Sequence, residues 1–226
     1  PCPMSDFTVV FDLDGTLIDT APDLIRSTNH VLEANGYPPV TDDFIRPVIS
    51  FGTREMLRAG IEAHGDKPTD GHLDGLFHDL LDHYGANIAV ESRPFPGLTS
   101  VLDELRAAGA RIAVCTNKRE GMSRLLLETL GMTDYFDAIT GRDTFPVHKP
   151  DPEHLLGAIR FAGGDRARSV MVGDSETDVL TARAATVPVI GVTFGYTDKP
   201  IFELGCDGVI SHYDAFLETL ERVRSS

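Results

Sequence analysis

The chain has 226 residues, of which 42% are apolar and 24% charged, the composition of an ordinary globular protein. Its formal net charge of −15 disfavours nucleic-acid binding, and its field would repel an anionic substrate unless a local cation compensates. No apolar run approaches the roughly 18 residues of a membrane span, so we expect no membrane insertion. The cysteines, Cys2, Cys115 and Cys206, form no C-x-x-C pair, which favours a reducing compartment and a cytoplasmic location.

An apolar, β-prone run near the N-terminus, Val9-Val10-Phe11, ends abruptly in the two carboxylates of Asp12 and Asp14. Gly15 follows at once and allows the backbone to turn sharply. Because residues two apart in an extended chain point to the same side, the two carboxylates repel each other unless a cation lies between them. The pattern indicates a divalent metal site at a strand end, and it favours nucleophilic and acid–base chemistry beside the metal.

The sequence pattern predicts several helices and no convincing strand over residues 19–92. Thr20 through Asp23 resembles a capping box, and the helix that it opens ends at Asn35-Gly36. Further helices are predicted over about 41–47, 53–62 and 70–88. A helical insert that begins directly after a strand-end site is well placed to act as a lid.

From Gly97 onward, strand-like and helix-like segments alternate. Strands are predicted over 112–115, 170–172, 189–192 and 209–210, with helices over about 101–108, 119–130, 152–162, 175–185 and 213–223. Strands separated by helices of this size indicate parallel βαβ units and a doubly wound α/β sheet. We therefore expect a catalytic core of residues 4–18 and 93–226, interrupted by a helical unit over residues 19–92.

Four polar groups follow predicted strands or an extended segment, and parallel strands bring such ends to one edge of a sheet. They are Asp12 with Asp14, Thr116-Asn117, Lys149 before Pro150, and Gly173-Asp174 with Asp178. Carboxylates bind Mg²⁺, backbone amides and a hydroxyl bind phosphoryl oxygens, and an ammonium neutralises developing charge. The set predicts a site for Mg²⁺ and a phosphoryl group.

Each motif alone also has an ordinary structural interpretation. Asp-x-Asp-Gly is compatible with an exposed turn, Thr-Asn with a helix cap, and a lysine before proline with a solvated loop. A calcium-binding loop fits poorly, because its sixth position would be Leu17 instead of glycine. The joint occurrence of all four groups, each at a predicted strand end or in an extended segment, favours the catalytic interpretation.

These motifs closely resemble those of the haloacid dehalogenase-like (HAD) superfamily, and the resemblance extends over nearly the whole chain. The four matching segments are Asp12-Leu13-Asp14-Gly15-Thr16, Thr116-Asn117, Lys149-Pro150 and Gly173-Asp174-Ser175-Glu176-Thr177-Asp178. The resemblance implies a Rossmann-like core with a small helical cap inserted after the first strand. Residues 11–23 are most similar to the phosphoglycolate phosphatases of this superfamily.

The resemblance also implies roles for individual residues. Asp12 would be the nucleophile that forms an aspartyl-phosphate, and Asp14 would protonate the leaving oxygen and then activate water. Mg²⁺ would be bound by Asp174, the Asp12 side chain and the Asp14 backbone carbonyl, with Asp178 acting through water or by orienting Lys149. Because true dehalogenases lack the second aspartate, Asp14 favours phosphoryl transfer. Gly15, Thr116, Asn117 and Lys149 would bind the phosphoryl group, with Thr116 and Lys149 also catalytic.

The helical segment carries candidate residues for substrate specificity. Gly52, Thr53 and Arg54, with Arg46 nearby, lie in the stretch that faces the site in similar phosphatases. The carboxylate of 2-phosphoglycolate is a plausible partner for an arginine there. The turn Ser50-Phe51-Gly52 is less rich in glycine and asparagine than is usual in the family, and solvated arginines are an equally good interpretation.

The sequence therefore predicts a Mg²⁺-dependent phosphatase of a small phosphorylated metabolite, with 2-phosphoglycolate as the best single candidate, in a monomer or homodimer. A phosphomutase similar to β-phosphoglucomutase and an inorganic pyrophosphatase remain as alternative enzymes. A phospho-signalling receiver is the non-enzyme alternative, although receivers are about half this length and lack a helical insert.

Overall fold

The computed structural model describes residues 4–226, so that Cys2 lies outside the described residues. The chain divides into two units: a core made of the residues up to Asp19 together with Pro94–Ser226, and a helical unit made of Thr20–Arg93. Neither unit, within residues 4–226, contains a helix with the length and apolar character needed to cross a membrane.

The elements are numbered in chain order, separately for strands and helices. The strands are β1 (Thr8–Phe11), β2 (Ile18–Asp19), β3 (Arg93–Pro94), β4 (Arg111–Cys115), β5 (Ala138–Thr140), β6 (Ser169–Gly173), β7 (Val189–Val192) and β8 (Gly208–Ile210). The helices are α1 (Ala21–Ala34), α2 (Asp42–Ile45), α3 (Thr53–Glu62), α4 (Asp70–Ala86), α5 (Leu98–Ala107), α6 (Glu120–Thr129), α7 (Pro152–Phe161), α8 (Glu176–Ala185) and α9 (Phe216–Arg224).

The core unit is built on a parallel sheet with the strand order β5-β4-β1-β6-β7-β8. Its first strand lies in the middle, with Phe11 in register with Val114 on one side and Val172 on the other. The chain leaves β1 in one direction and later crosses to its other side, which creates the topological switch point where open α/β sheets bind ligands. The predicted doubly wound, Rossmann-like α/β fold is confirmed.

Alternation along the strands gives the sheet two buried faces, as in other parallel sheets covered by helices. Val10 and Met171 belong to the cluster that α7 and α8 cover. Phe11 points to the opposite face, where its ring centroid lies 5.8 Å from that of Phe216 on α9. Because both faces of β1 are packed, the strand is a fixed support for the residues that follow it.

The helical unit contains α1, α2, α3 and α4, and the predicted helix over 53–62 is confirmed as α3. The predicted helix over 41–47 is α-helical only over α2, and the chain then continues as a 3₁₀ helix over Arg46–Phe51. Pro47 explains the change, because proline has no N–H to donate to the carbonyl four residues earlier.

The edge strand β5 was not predicted from the sequence. It has three residues and pairs with β4, with Ala138 in register with Ala113. Three residues are too few for a periodic pattern, and its identity as a strand comes from the neighbouring strand.

The capping box predicted at Thr20 is wrong. Thr20 has an αR conformation, and its side chain makes no capping hydrogen bond. The Asp23 carboxylate is fully buried and accepts hydrogen bonds from the backbone N–H groups of Glu91 and Ser92 at 3.1 and 2.8 Å. It also forms an ion pair with Arg26. Asp23 therefore connects the first helix of the unit to its last residues.

Replacing Asp23 with alanine is expected to destabilise the helical unit by about 2–4 kcal/mol, because the N–H groups of Glu91 and Ser92 lose their acceptor and Arg26 loses its buried partner. Urea unfolding measures the change. The matched control is Asp79→Ala at an exposed position of α4, which should alter the free energy of unfolding by less than about 0.5 kcal/mol. Equal effects of the two substitutions would contradict this account of Asp23.

Candidate active site

Asp12 is the first residue after β1 and lies at the carboxyl edge of the sheet. Its Oδ1 accepts a hydrogen bond from the Leu13 N–H at 2.8 Å and lies 3.0 Å from Lys149 Nζ. Within residues 4–226, no hydrogen bond or ion pair of Asp12 uses Oδ2. Burial, followed by repulsion from Asp178, raises the pKa of Asp12 well above its usual value although Lys149 opposes the shift. The carboxylate is thus held by one oxygen and presents the other.

Lys149 is the buried cation of the site, and its side chain is 3% exposed. Its Nζ lies 2.6 Å from Asp178 Oδ1 and 3.0 Å from Asp12 Oδ1. Burial alone would lower the pKa of Lys149, but the carboxylates of Asp12 and Asp178 outweigh burial and raise it. Lys149 is therefore a permanent positive charge between two carboxylates.

Asp174 follows β6, next to β1, and both of its oxygens are anchored. Oδ1 accepts a hydrogen bond from the Thr16 hydroxyl at 3.0 Å, and Oδ2 accepts one from the Tyr196 N–H at 2.8 Å. Burial and the neighbouring Asp178 raise the pKa of Asp174 to about 7. Gly15 is needed beside it: its φ is +80°, and a Cβ there would lie 2.5 Å from Asp174 Oδ2.

Asp178 lies in the first turn of α8, and its side chain is fully buried. While Oδ1 contacts Lys149, Oδ2 accepts hydrogen bonds from the N–H groups of Asp174 and Ser175 at 3.1 and 3.2 Å. Asp178 therefore fixes the ammonium and also the loop that carries Asp174.

The carboxylates fit a hard divalent cation. Asp12, Asp174 and Asp178 each place an oxygen within 4.8 Å of the others, and all three are buried. Counting Asp14, four carboxylates face the ammonium groups of Lys149 and Lys118, which leaves two negative charges uncompensated when all six groups are ionised. Oxygen donors with this excess of negative charge suit a metal such as Mg²⁺. The Asp14 side chain is not part of this cluster. The family resemblance implies that Asp14 would bind the metal through its backbone carbonyl.

Thr116 and Asn117 follow β4 on the other side of β1. The buried Thr116 hydroxyl oxygen accepts a hydrogen bond from the Lys118 N–H at 3.1 Å. Asn117 Nδ2 donates to the Lys149 carbonyl at 2.9 Å, which joins this loop to the loop of the lysine. The structure therefore brings the predicted core residues Asp12, Asp14, Gly15, Thr116, Asn117, Lys149, Asp174 and Asp178 to one edge of the sheet.

Lys118 is a second cation at this edge that the sequence analysis missed. Its Nζ lies 2.6 Å from Asp14 Oδ1, with side-chain exposures of 9% for the lysine and 19% for the aspartate. Its position directly after Thr116-Asn117 was a signal for it, because it follows a strand that ends at the same edge.

His154, on α7, is a second group that the sequence did not indicate. The Thr140 hydroxyl donates to the Val114 carbonyl at 2.8 Å, so toward the ring it accepts from His154 Nε2–H at 3.3 Å. His154 Nδ1 then accepts the Lys149 N–H at 3.3 Å. Burial and the charge of Lys149 lower the pKa of His154 to about 4, in agreement with this neutral tautomer.

The predicted specificity residues Gly52, Thr53 and Arg54 belong to the helical unit, at the start of α3. Gly52 has a φ of +101°, which favours glycine. The Arg54 guanidinium forms ion pairs with Asp70 and Asp74 of α4, at 3.1 and 3.0 Å. In this structure Arg54 therefore has partners inside its own unit.

Comparison with known proteins agrees with this geometry. Residues 9–192 match the family model of haloacid dehalogenase-like hydrolases. The chain is 49% identical over 211 residues to a phosphoglycolate phosphatase of Agrobacterium fabrum, covering 93% of this chain and 91% of that one. Over 221 residues it is 47% identical to a phosphoglycolate phosphatase of Mesorhizobium japonicum, covering 97% of each.

A solved structure supports the same relationship. The crystal structure of a predicted phosphoglycolate phosphatase from Haemophilus somnus matches with a TM-score of 0.88 at 26% identity, covering 96% of this chain and 99% of that chain. The family resemblance inferred from the four motifs is confirmed.

His154 gives a pH-dependent prediction. An unfolded histidine has a pKa near 6.5, whereas folding lowers the pKa of His154 to about 4. Between these values the unfolded chain binds a proton that the folded core does not, so this residue removes stability as the pH falls, by up to about 3 kcal/mol. Above pH 6.5 it removes none.

His154→Asn tests this prediction, because the amide occupies the Nδ1 position, can accept from the Lys149 N–H and does not titrate. Urea unfolding at several pH values between 7.5 and 4.5 gives the difference in stability between the two proteins. We expect that difference to change in favour of the variant by about 1.4 kcal/mol per pH unit below 6.5. Parallel curves for the two proteins would show that His154 is not buried in its neutral form.

Proposed function

Because the chain belongs to the haloacid dehalogenase-like hydrolase family, we propose that it is a Mg²⁺-dependent phosphoric monoester hydrolase that works through an aspartyl-phosphate. The observation that carries the proposal is Asp12, fixed at the switch point through Oδ1 and presenting Oδ2, with Asp14 two residues further on. One carboxylate is thus placed to attack, while the second is placed to transfer protons.

The substrate that we propose is 2-phosphoglycolate. Relatives at 49% and 47% identity are phosphoglycolate phosphatases, and each is covered over more than nine-tenths of its length. A small phosphorylated metabolite also suits a site in which Lys149, Asp174 and Asp178 are buried. The core residues that would bind the phosphoryl group would do so in any small phosphate ester, so the choice of 2-phosphoglycolate rests on the relatives.

In the first step, Asp12 Oδ2 attacks phosphorus, the bond from phosphorus to the ester oxygen breaks, and Asp14 donates a proton to the leaving alkoxide. In the second step, Asp14 takes a proton from a water molecule that attacks the phosphorus of phospho-Asp12. The acyl phosphate bond then breaks, which releases inorganic phosphate and restores the Asp12 carboxylate. Asp14 also ends in its starting protonation state.

The other core residues bind and orient the phosphoryl group in this proposal. Lys149 neutralises charge on the transferred oxygens, while Gly15, the Thr116 hydroxyl and the Asn117 loop bind them. Asp12, Asp174 and the Asp14 carbonyl would hold Mg²⁺, with Asp178 fixing Lys149 and the loop that carries Asp174. When bound, the metal supplies positive charge that offsets the anionic phosphoryl group and the clustered carboxylates.

We assign the helical unit the role of a cap, with residues 4–18 and 93–226 as the catalytic core and 19–92 as the cap. Its insertion directly after Asp14-Gly15-Thr16 supports this role. Gly52, Thr53 and Arg54 remain the candidates for substrate contact from this unit. For Arg54, such contact requires exchanging Asp70 and Asp74 for a substrate anion.

The cellular setting is part of the proposal. Cys115 and Cys206 are free thiols, and burial raises the pKa of Cys115 to about 12, which supports a reducing, cytoplasmic location and gives this thiol no nucleophilic role. The net charge of −15 supports a small-molecule substrate over nucleic acid. The protein would act as a monomer or a homodimer.

A screen of small phosphate esters with Mg²⁺ tests the proposed activity, with 2-phosphoglycolate expected to be the best substrate. Phosphate release without any bisphosphate requirement separates a phosphatase from a phosphomutase. Inorganic pyrophosphate as the preferred substrate would support a pyrophosphatase, and a long-lived phospho-Asp12 without turnover would support a receiver.

Replacing Asp12 with asparagine is expected to reduce turnover by at least about 10⁴-fold, because the amide cannot act as the nucleophile. The fold should survive with equal or greater thermal stability, since the substitution removes one of four repelling carboxylates. Phosphate release and circular dichroism measure the two effects. Undiminished hydrolysis by a folded variant would contradict the proposal, and Asp79→Asn on the surface of α4 provides the control.

Removing the metal with EDTA is expected to abolish activity, and added Mg²⁺ to restore it. Binding to the native state should also raise the melting temperature of the wild-type protein. Asp174→Asn should weaken Mg²⁺ binding by about 10- to 100-fold or more, because a charged oxygen donor becomes a neutral amide. Titration calorimetry measures the affinity without using turnover, and an unchanged affinity would remove Asp174 from the metal site.

A further inference from the structure

Lys118 is a second ammonium at the site that has no role in the mechanism above. Its Nζ lies 2.6 Å from Asp14 Oδ1, and its side chain is 9% exposed. Its backbone N–H donates to the Thr116 hydroxyl oxygen at 3.1 Å, so it is fixed to the same loop that we propose binds the phosphoryl group. Its low exposure and these two contacts fix the Lys118 ammonium at the site.

The two lysines lie beside different carboxylates. Lys149 contacts Asp12, the proposed nucleophile, and Asp178. Lys118 contacts Asp14, which donates a proton to the leaving oxygen in the proposed mechanism. Lys149 therefore lies on the phosphoryl side of the bond that breaks, whereas Lys118 lies on the side of the leaving group.

Distances place Lys118 within reach of a charge on the leaving group. A proton donor lies about 2.6–3.2 Å from the atom that it protonates. Lys118 Nζ lies 2.6 Å from Asp14 Oδ1, so the ammonium is at most about 6 Å from the leaving oxygen when Oδ1 donates the proton, and at most about 8 Å when Oδ2 donates it. In 2-phosphoglycolate a single methylene separates that oxygen from the carboxylate. An ammonium has three N–H donors and can contact Asp14 and a second carboxylate together.

We propose that Lys118 is a specificity residue that binds the carboxylate of a phosphate ester bearing an acid group one carbon from its ester oxygen. The proposal rests on the proposed function, because it assumes that Asp14 faces the leaving oxygen. It places recognition of the carboxylate in the core unit, whereas the sequence offered an arginine of the helical unit, Arg54 or Arg46, as the candidate. Arg54 is paired with Asp70 and Asp74 on α4 in this structure.

Two substrates that differ only in the charged group test the proposal. Ethyl phosphate has a methyl group where 2-phosphoglycolate has its carboxylate. For Lys118→Met, we expect kcat/KM for 2-phosphoglycolate, relative to that for ethyl phosphate, to fall by roughly 10- to 100-fold, the range for losing a charged hydrogen bond. Both values can fall together because Asp14 also loses a partner, and the ratio isolates recognition of the carboxylate.

The controls separate this role from a general effect of charge or folding. Lys67→Met removes the same group from an exposed position of the helical unit and should leave the ratio unchanged. Lys118→Gln, a second variant that retains N–H donors but no charge, should lower the ratio in the same direction. Melting temperatures and circular dichroism establish that each variant is folded.

An equal fall for both substrates in folded Lys118 variants would overturn the proposal and leave Lys118 as a positioning residue for Asp14. A wild-type enzyme that hydrolyses the two esters equally well would also overturn it. Failure of the proposed function looks different: the wild-type protein with Mg²⁺ would release phosphate from neither ester.

Discussion

The buried ion pairs of Lys149 are the interaction on which the rest of the site depends. A buried ammonium is costly unless it is paired, and this one lies between Asp12 and Asp178 at 3.0 and 2.6 Å. The backbone of the lysine is held as well, since its N–H donates to His154 and its carbonyl accepts from Asn117. The side chain and backbone of this one residue thereby link the loops after β1 and β4 and the first turn of α8.

The crowding of carboxylates also requires that the backbone come close to them, and glycine provides the space. A Cβ at Gly173 would lie 2.4 Å from Asp178, and one at Gly195 would lie 2.1 Å from the Asp174 side chain. Because no larger residue fits at these positions, the carboxylates are surrounded by main chain, whose N–H groups donate to them. The carboxylates need nearby N–H donors and the packing leaves no room for a Cβ, so both requirements favour glycine at these two positions.

The sequence predicted those parts of the molecule that local pattern determines. Buried strands followed by polar residues identified Asp12, Thr116 and Asp174, and a parallel sheet then required them to lie at one edge. Contacts between distant loops left no such pattern. Tyr196 donates to Asp174 from a loop 22 residues away, and His154 contacts the hydroxyl of Thr140, 14 residues earlier in the chain. The capping box predicted for Thr20 and Asp23 was wrong because the Asp23 carboxylate binds backbone N–H groups 68 and 69 residues further along the chain.

The net charge of −15 and an anionic substrate are compatible because the two fields act over different distances. Solvent and salt screen the surface charges within about 10 Å, whereas charges in the buried site interact at low dielectric. In our proposal, Asp14 starts protonated, so a divalent cation and two ammonium groups exceed the three remaining carboxylates by one positive charge. A second anionic group on that ester still needs a cation of its own. Lys118, on the leaving-group side, is the described lysine placed to provide it.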